Sequence, residues 1–395
     1  MTCTRKIHMH KAERGLFDLG RGQPLVITHT GPDEHATLIL SVEGLSDESL
    51  ARLTGLGDGP PRLLITPFRA SALGLGSIPP ERANGHRMER EMNGAVALTL
   101  PAAVDPAQIL RLASVLGAET HDGTEVRPVR EAERAALVLA RAGRLLPAVV
   151  AVPLSHPLDG EVGALVRDGD LLRVDSEEIL ALARRPGVAV IYVSEAPVPL
   201  ESTETAHFVL FRESNGLREH VAILVGDRDE WPDPLPIRLH SACLTGDLFG
   251  SLRCDCGEQL RQGLRVIAEA GGGILLYLAQ EGRSIGLGNK LRAYTMQEAG
   301  LDTVDADCAL GFGADERNYD AAIAMLHHLN VPRVEILTNN PEKMRALKEG
   351  GIQVAGRRAL HGELNRHNLP YVSAKVHRAG HWLASMVSEP LPPQR

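Results

Sequence analysis

Three observations predict an α/β chain, α/β or α+β in layout, built as two domains. Its 395 residues exceed what one ordinary hydrophobic core holds. In the first half, strand-like runs such as PLVIT and VAVIYV alternate with helix-like SDESLARL and DSEEILALARR. A stretch rich in Pro, Ser and Thr, EAPVPLESTE (195–204), has no apolar periodicity and sets the boundary, giving domains of 1–196 and 197–395.

The elements follow in order. Ser46 precedes the SDESLARL helix, and Ser49 stands where a capping box prefers Glu, so the match is partial. Beyond the boundary, HFVLFR and HVAILVG are joined by ESNGLRE, whose Asn-Gly is a turn signal, and together they predict a hairpin. An acidic, Pro-containing loop, GDRDEWPDPLP, leads into IRLHSAC. EQLRQGLRVIAEA has helical periodicity and stops at Gly271-Gly272-Gly273, ahead of the strand ILLYLA. The tail SEPLPPQR predicts disorder, and no internal repeat is present.

Composition narrows the function. No apolar run reaches the roughly 18 residues of a spanning helix, and the N-terminus MTCTRKIHMHKAERG lacks an apolar signal core. The expected compartment is the cytoplasm, with no membrane association. There, five cysteines make no disulfide framework, and Cys254 and Cys256 stand too close for an easy mutual bridge. A net charge of -8 with 3% aromatic residues argues against nucleic acid as a partner, since phosphate backbones reward basic surfaces and bases reward stacking platforms. A local group of Arg and Lys can still hold one small anion.

HSACLTGDLFGSLRCDCGEQL (240–260) spaces Cys243, Cys254 and Cys256 as Cys-x10-Cys-x-Cys. Thiolates at this spacing converge on one ion if the segment folds back, and zinc is the ion that binds thiolate tetrahedrally. Three ligands leave a fourth position for water, the catalytic pattern; His240 or Cys308 as a fourth ligand would give a closed structural staple. Asp247, Arg253 and Asp255 are more than a staple needs. LYLAQEGRSIGLGNKLRAY runs from a strand into a Gly-rich loop and then Lys290, Arg292 and Tyr294, a pattern that admits phosphate, or else a solvated turn before a basic helix. GFGADERNYD sets Asp315 two residues from Arg317, more often a surface ion pair, and ILTNNPEKM brings Thr338 and Lys343 after a strand.

Taken together, HSxCLTGDxFxSLRCDCG, QEGRxIGLxNKLRAY, DTVxAxxxLGFxxDxRxY and LTNNPxK occur in order, and residues 197–386 resemble GTP cyclohydrolase II, which opens the guanine imidazole ring at the first committed step of riboflavin synthesis. The resemblance implies zinc on Cys243, Cys254 and Cys256, with water directed at guanine C8 and formate released. It implies that Arg317 attacks the α-phosphate and displaces pyrophosphate, with Asp315 accepting the proton and Tyr294 assisting. An arginine nucleophile is chemically unusual, because its pKa is above about 12. The segment Arg238, Leu239, His240, Ser241 and Ala242, together with Gln259, Glu281, Gly282, Arg283, Thr303, Thr338 and Lys343, matches nucleotide contacts, with Mg2+ accompanying the phosphates. The family also implies a homodimer. Competing readings are a related cyclohydrolase acting on a uridine nucleotide in uracil catabolism, and a non-catalytic nucleotide-binding regulator.

The chain departs from the family at Ala242, usually Glu, at Gly288, usually Leu, and at Ser284, often Gly or Asn. Its first half resembles 3,4-dihydroxy-2-butanone-4-phosphate synthase in LGRGQPLVITHTGPDEHATLILSVEGLSDESL and GALVRDGDLLRVDSEEILALA. The synthase site does not follow. Pro32-Asp33-Glu34-His35-Ala36-Thr37 replaces Arg-Glu-Asn-Glu-Gly-Asp, and Gly169-Asp170-Leu171 replaces Gly-His-Thr. A degenerate, inactive synthase-like domain is therefore expected, since function resides in the site rather than the fold.

Overall fold

The structure, a computed structural model, describes residues 3–31, 33–76, 92–155, 159–184 and 188–383. Pro32 and the tail SEPLPPQR lie outside the described residues. The chain forms two compact units. One takes in the sequence up to position 185 together with Gly288–Leu301 and Asp305–Asp315; the other takes in the remainder to Leu287, Asp302–Val304 and the chain from Glu316.

The first unit is built on a seven-stranded sheet of β1 (Leu25–His29), β2 (His35–Ser41), β3 (Arg62–Ile65), β4 (Val96–Thr99), β5 (Val126–Pro128), β6 (Ala148–Leu154) and β7 (Leu172–Asp175). The order is β5-β4-β3-β6-β2-β1-β7, with β1 and β7 parallel and the other pairs antiparallel. PLVIT supplies β1, and the apolar run of β6 is buried on both faces, as a continuously hydrophobic central strand must be. Ser46 caps helix Asp47–Leu56 by accepting from the Ser49 N–H at 3.2 Å, and the Ser49 hydroxyl accepts from the Ser46 N–H at 2.9 Å. The capping box thus closes with Ser in the place of Glu.

The second unit carries a mixed sheet of β8 (Val190–Pro197), β9 (Ala206–Glu213), β10 (Glu219–Val225), β11 (Leu235–Ser241), β12 (Gly273–Leu278), β13 (Arg333–Leu337) and β14 (Gln353–Arg358), ordered β14-β13-β11-β12-β10-β9-β8. The expected hairpin is β9–β10, antiparallel from Ala206 opposite Val225 to Arg212 opposite Glu219. Part of the Pro-rich stretch differs from its reading as irregular: Glu195–Pro197 is strand, paired with β9. An edge strand tolerates a proline that a central one would not.

Both faces of this sheet are covered. Ala222, Leu224, Ile237, Leu239, Leu276 and Ile336 pack on one side with Met325 and Leu326 of helix Asp320–His328. Ile223, Val225, Leu275 and Leu337 pack on the other with Ile267 of helix Cys256–Glu269. Each of the Leu, Ile, Val and Met side chains contributes about 1.5–3 kcal/mol by leaving water. The helix ends where the triple glycine predicts, and Gly273, at φ 151°, admits no side chain: a Cβ there would lie 2.2 Å from the Pro236 carbonyl oxygen.

Candidate active site

Strands β13, β11 and β12 run parallel as neighbours, with Ser241 level with Leu278. Beyond their carboxyl ends the chain leaves through residues already singled out: β11 toward Cys243, β12 toward Glu281, β13 toward Thr338 and Lys343. Open α/β sheets collect ligands at that edge.

Cys243 precedes the short helix Leu244–Asp247, while Cys254-Asp255-Cys256 opens helix Cys256–Glu269. The three sulfurs lie within 4.8 Å of one another, and Cys243 Sγ is 3.7 Å from Cys254 Sγ. Zinc–sulfur bonds of about 2.3 Å in a tetrahedron put sulfurs roughly 3.8 Å apart, so the donor set fits that ion. Gly246 forms a bare wall beside them: a Cβ there would come within 2.8 Å of Cys254 Sγ and 3.1 Å of Cys243 Sγ. The crowding shows in the acidities. Cys254 is pushed up to about 11, chiefly by its hydrogen bond with Cys243, and Cys256 is pushed well above the ordinary thiol range by Cys243 and then Cys254. A cation is what lets three such thiols ionise together.

Two buried carboxylates hold the cluster from behind. Asp247 Oδ2 accepts the Cys243 N–H at 2.9 Å and the Tyr277 hydroxyl at 2.9 Å, and His240 Nε2 lies 3.1 Å from both of its oxygens. His240 is thus engaged by Asp247 and lies outside the group of three, and Cys308 belongs to the first unit. Burial pulls His240 below its ordinary pKa, against the opposing pull of Asp247. Asp255 accepts from Lys375 Nζ at 2.7 Å and from Gln259 Nε2 at 2.6 Å, and Gln259 Oε1 accepts from Arg238 at 2.6 Å. Burial alone would raise Asp255, but Lys375, a backbone N–H and Arg238 together outweigh it and hold the carboxyl below its usual range. Arg238 also donates to the Leu337 carbonyl at 3.0 Å, and burial pulls it down to about 10.

Among the other expected residues, Glu281 accepts the Leu244 N–H at 2.6 Å and the Gly282 N–H at 3.0 Å, tying the loop after β12 to the cysteine turn. Arg283 and Ser284 follow in the left-handed region at φ 57° and 73°, a backbone that side chains other than glycine's enter at a cost of order 1–3 kcal/mol. Leu239 is buried, and its carbonyl accepts from Lys343 Nζ at 2.7 Å. The Ser241 hydroxyl donates to Gln280, the Ala242 N–H to the Leu278 carbonyl, and Thr338 Oγ1 accepts from the Asn340 N–H. Thr303 starts helix Thr303–Ala309. Arg317 belongs to the second unit, whereas Tyr294, on helix Leu287–Glu298, and Asp315 belong to the first. Gly288 is exposed in that helix, with Arg292 3.7 Å from where its Cβ would stand.

Helix Leu369–Ala379 brings residues that no motif marks. Besides Lys375, it carries Tyr371, whose phenol is pushed well up by burial and then by Cys256. His381 follows, and burial and then Lys375, Arg317, Lys343 and Arg283 pull it down to about 3. The positive fields of these four side chains thus overlap at His381. The partner of Lys375 lies 120 positions upstream, beyond any local pattern.

Residues 191–359 match the family model described as GTP cyclohydrolase II. A protein of Xylella fastidiosa (strain 9a5c) named GTP cyclohydrolase-2 is 38% identical over 371 residues, 94% of this chain and 87% of its own. One of Azospirillum brasilense with the same name is 38% identical over 378 residues, 94% of each chain. Another, of Pseudomonas paraeruginosa, is 48% identical over 200 residues, 50% of this chain and 96% of its own. The solved structure of a two-domain 3,4-dihydroxy-2-butanone 4-phosphate synthase from A. baumannii covers 88% of this chain and 98% of its own at 12% identity and a TM-score of 0.34, too distant to fix fold or function.

Proposed function

Because the chain belongs to the GTP cyclohydrolase II family, we propose that it hydrolyses GTP to the diaminopyrimidinone, formate and pyrophosphate, the entry to riboflavin synthesis. The observation that carries this reading is the three-thiol cluster beyond the carboxyl ends of the parallel strands, with its Cys254-Asp255-Cys256 turn tied down by Lys375 at 2.7 Å from Asp255. Zinc would sit on Cys243, Cys254 and Cys256, and when bound it supplies Lewis-acid activation of water for attack on guanine C8 and on the formyl group.

The chain's own groups do the rest. Glu281, a carboxylate beyond the carboxyl end of β12 that accepts the Leu244 and Gly282 N–H groups, is the acceptor suited to the N1–H and N2–H donors of guanine. Arg283 and Lys343, with Mg2+, neutralise the triphosphate. Arg317 attacks the α-phosphorus: an N–P bond forms, the bond to pyrophosphate breaks, and the guanidinium proton passes to Asp315; water then cleaves the N–P bond, leaving the product its 5′-phosphate and returning the proton to Arg317. Tyr294 assists at the ring-opening end. Residues 1–196 are read as a synthase-like fold without synthase activity, 197–395 as the cyclohydrolase, and the assembly as a cytoplasmic homodimer.

The test is direct. Zinc-loaded protein incubated with GTP and Mg2+ is expected to release formate and pyrophosphate, and Arg317→Ala to abolish both while keeping its metal. No turnover at full metal loading would falsify the proposal. Ala242, where relatives carry Glu, favours a second reading; turnover of a uridine nucleotide in place of GTP would establish it.

A further inference from the structure

The first half of the chain has so far no part in the chemistry, yet the first unit holds two segments from the second half, and the bonds that hold them are specific. Arg69, on helix Pro67–Ala72, is 1% exposed and has no carboxylate partner among the described residues. It donates to four carbonyls: Leu112 at 2.8 Å, Val115 at 2.7 Å, Arg111 at 3.3 Å and Ala309 at 2.8 Å. These mark the C-terminal ends of helices Pro106–Ser114 and Thr303–Ala309, where unpaired carbonyls and the helix dipole favour a cation. Thr66, fully buried, accepts the Arg69 N–H at 3.3 Å and donates to the Gly311 carbonyl at 2.8 Å. A second tether holds helix Leu287–Glu298: Asn289 Nδ2 donates to the Arg144 carbonyl at 2.9 Å, and Arg292 pairs with Glu43 at 2.5 Å.

We propose that Thr66 and Arg69 are positioning residues for the cyclohydrolase reaction: they fix the turn Ala309–Gly311, and so the approach of Asp315, four residues further on, while Glu43 and Arg144 fix the helix that carries Tyr294. The first half is then a scaffold for catalytic segments, a role that needs none of the acidic or histidine residues of a synthase. The inference rests on the roles proposed for Asp315 and Tyr294. Its physical basis is that a displacement of about 1 Å at a reacting group costs roughly 100-fold in rate, so bonds far from the substrate can govern turnover.

Thr66→Val removes the hydroxyl at nearly constant shape, and Thr66→Ser restores it. In the full-length, metal-loaded protein, Thr66→Val is expected to lower kcat by about 10–100-fold, with KM for GTP within about twofold and metal content unchanged. Thr66→Ser is expected to recover kcat, and hydrogen exchange across 305–315 to quicken in the Val variant alone. Wild-type kcat in Thr66→Val, or kcat, KM and metal content falling together, overturns the proposal. Glu43→Gln, at a partly exposed pair, gives the same kcat-against-KM readout on the Tyr294 helix should Thr66→Val not fold. If the wild type does not turn over GTP at all, the functional reading fails. Exchange then judges the tether alone: protection at 305–315 that Thr66→Val leaves unchanged overturns it.

Discussion

Arg69 in the first unit and Arg238 in the second are buried alike, at 1% and 4% exposure, and burial pulls both guanidiniums down to about 10. Their surroundings differ. Arg69 spends its donors on four main-chain carbonyls at two helix ends, an arrangement complete in itself. Arg238 has one main-chain partner, leaves Nε unpaired, and passes its other contact through Gln259 to Asp255, between two cysteines of the cluster. A buried cation whose bonds all end on backbone is an anchor; one whose bonds run through side chains to reactive groups orders a site. Perturbed acidity alone does not separate the two.

The largest expected effect sharpens the second half of that contrast. Cys254→Ser removes one of the three clustered thiols and, on the proposed function, is expected to cost at least about 100-fold in metal affinity, above what outer partners of a metal site cost, with turnover lost in step. Metal per chain by mass spectrometry and formate release measure it. Next come the paired arginines. Arg69→Met strands buried carbonyls and is expected to lose about 3 kcal/mol or more in chemical denaturation. Arg238→Met is expected to lose less stability and more turnover, and equal losses in both assays would dissolve the distinction between anchor and site.

The smallest effect concerns an ion pair of the first unit. Burial works to raise the Glu133 carboxyl, but the Arg127 fork at 2.5 and 2.8 Å and the Arg130 N–H at 2.8 Å outweigh it and hold Glu133 below its ordinary value of 4.5. A depressed carboxyl contributes stability that is full above the unfolded value and is lost as pH falls through the folded one. Denaturation midpoints are therefore expected to drop below about pH 4.5, with the drop reduced in Glu133→Gln. At pH 7 its removal is expected to leave GTP turnover where it was.

What could be read from the sequence was what local rules write. The β9–β10 hairpin, the stop at Gly271-Gly272-Gly273 and the Ser46 cap each depend on neighbours within a few residues. The cysteine cluster was legible because its three thiols fall within fourteen positions. Lys375, Tyr371 and His381 left no such trace, since their meaning comes from partners far upstream. The grip of Arg69 on Ala309 spans 240 positions and looks, in sequence, like any helical arginine.

Gly246 adds a matter of ion size. Its missing side chain leaves room for the sulfurs of Cys243 and Cys254 to sit 3.7 Å apart. A single methyl there would drive the sulfurs outward and favour a larger soft cation over zinc, for the same three thiolates and the same net charge. The spacing of the three sulfurs is thus set partly by a residue that offers no donor atom, through the space it declines to fill.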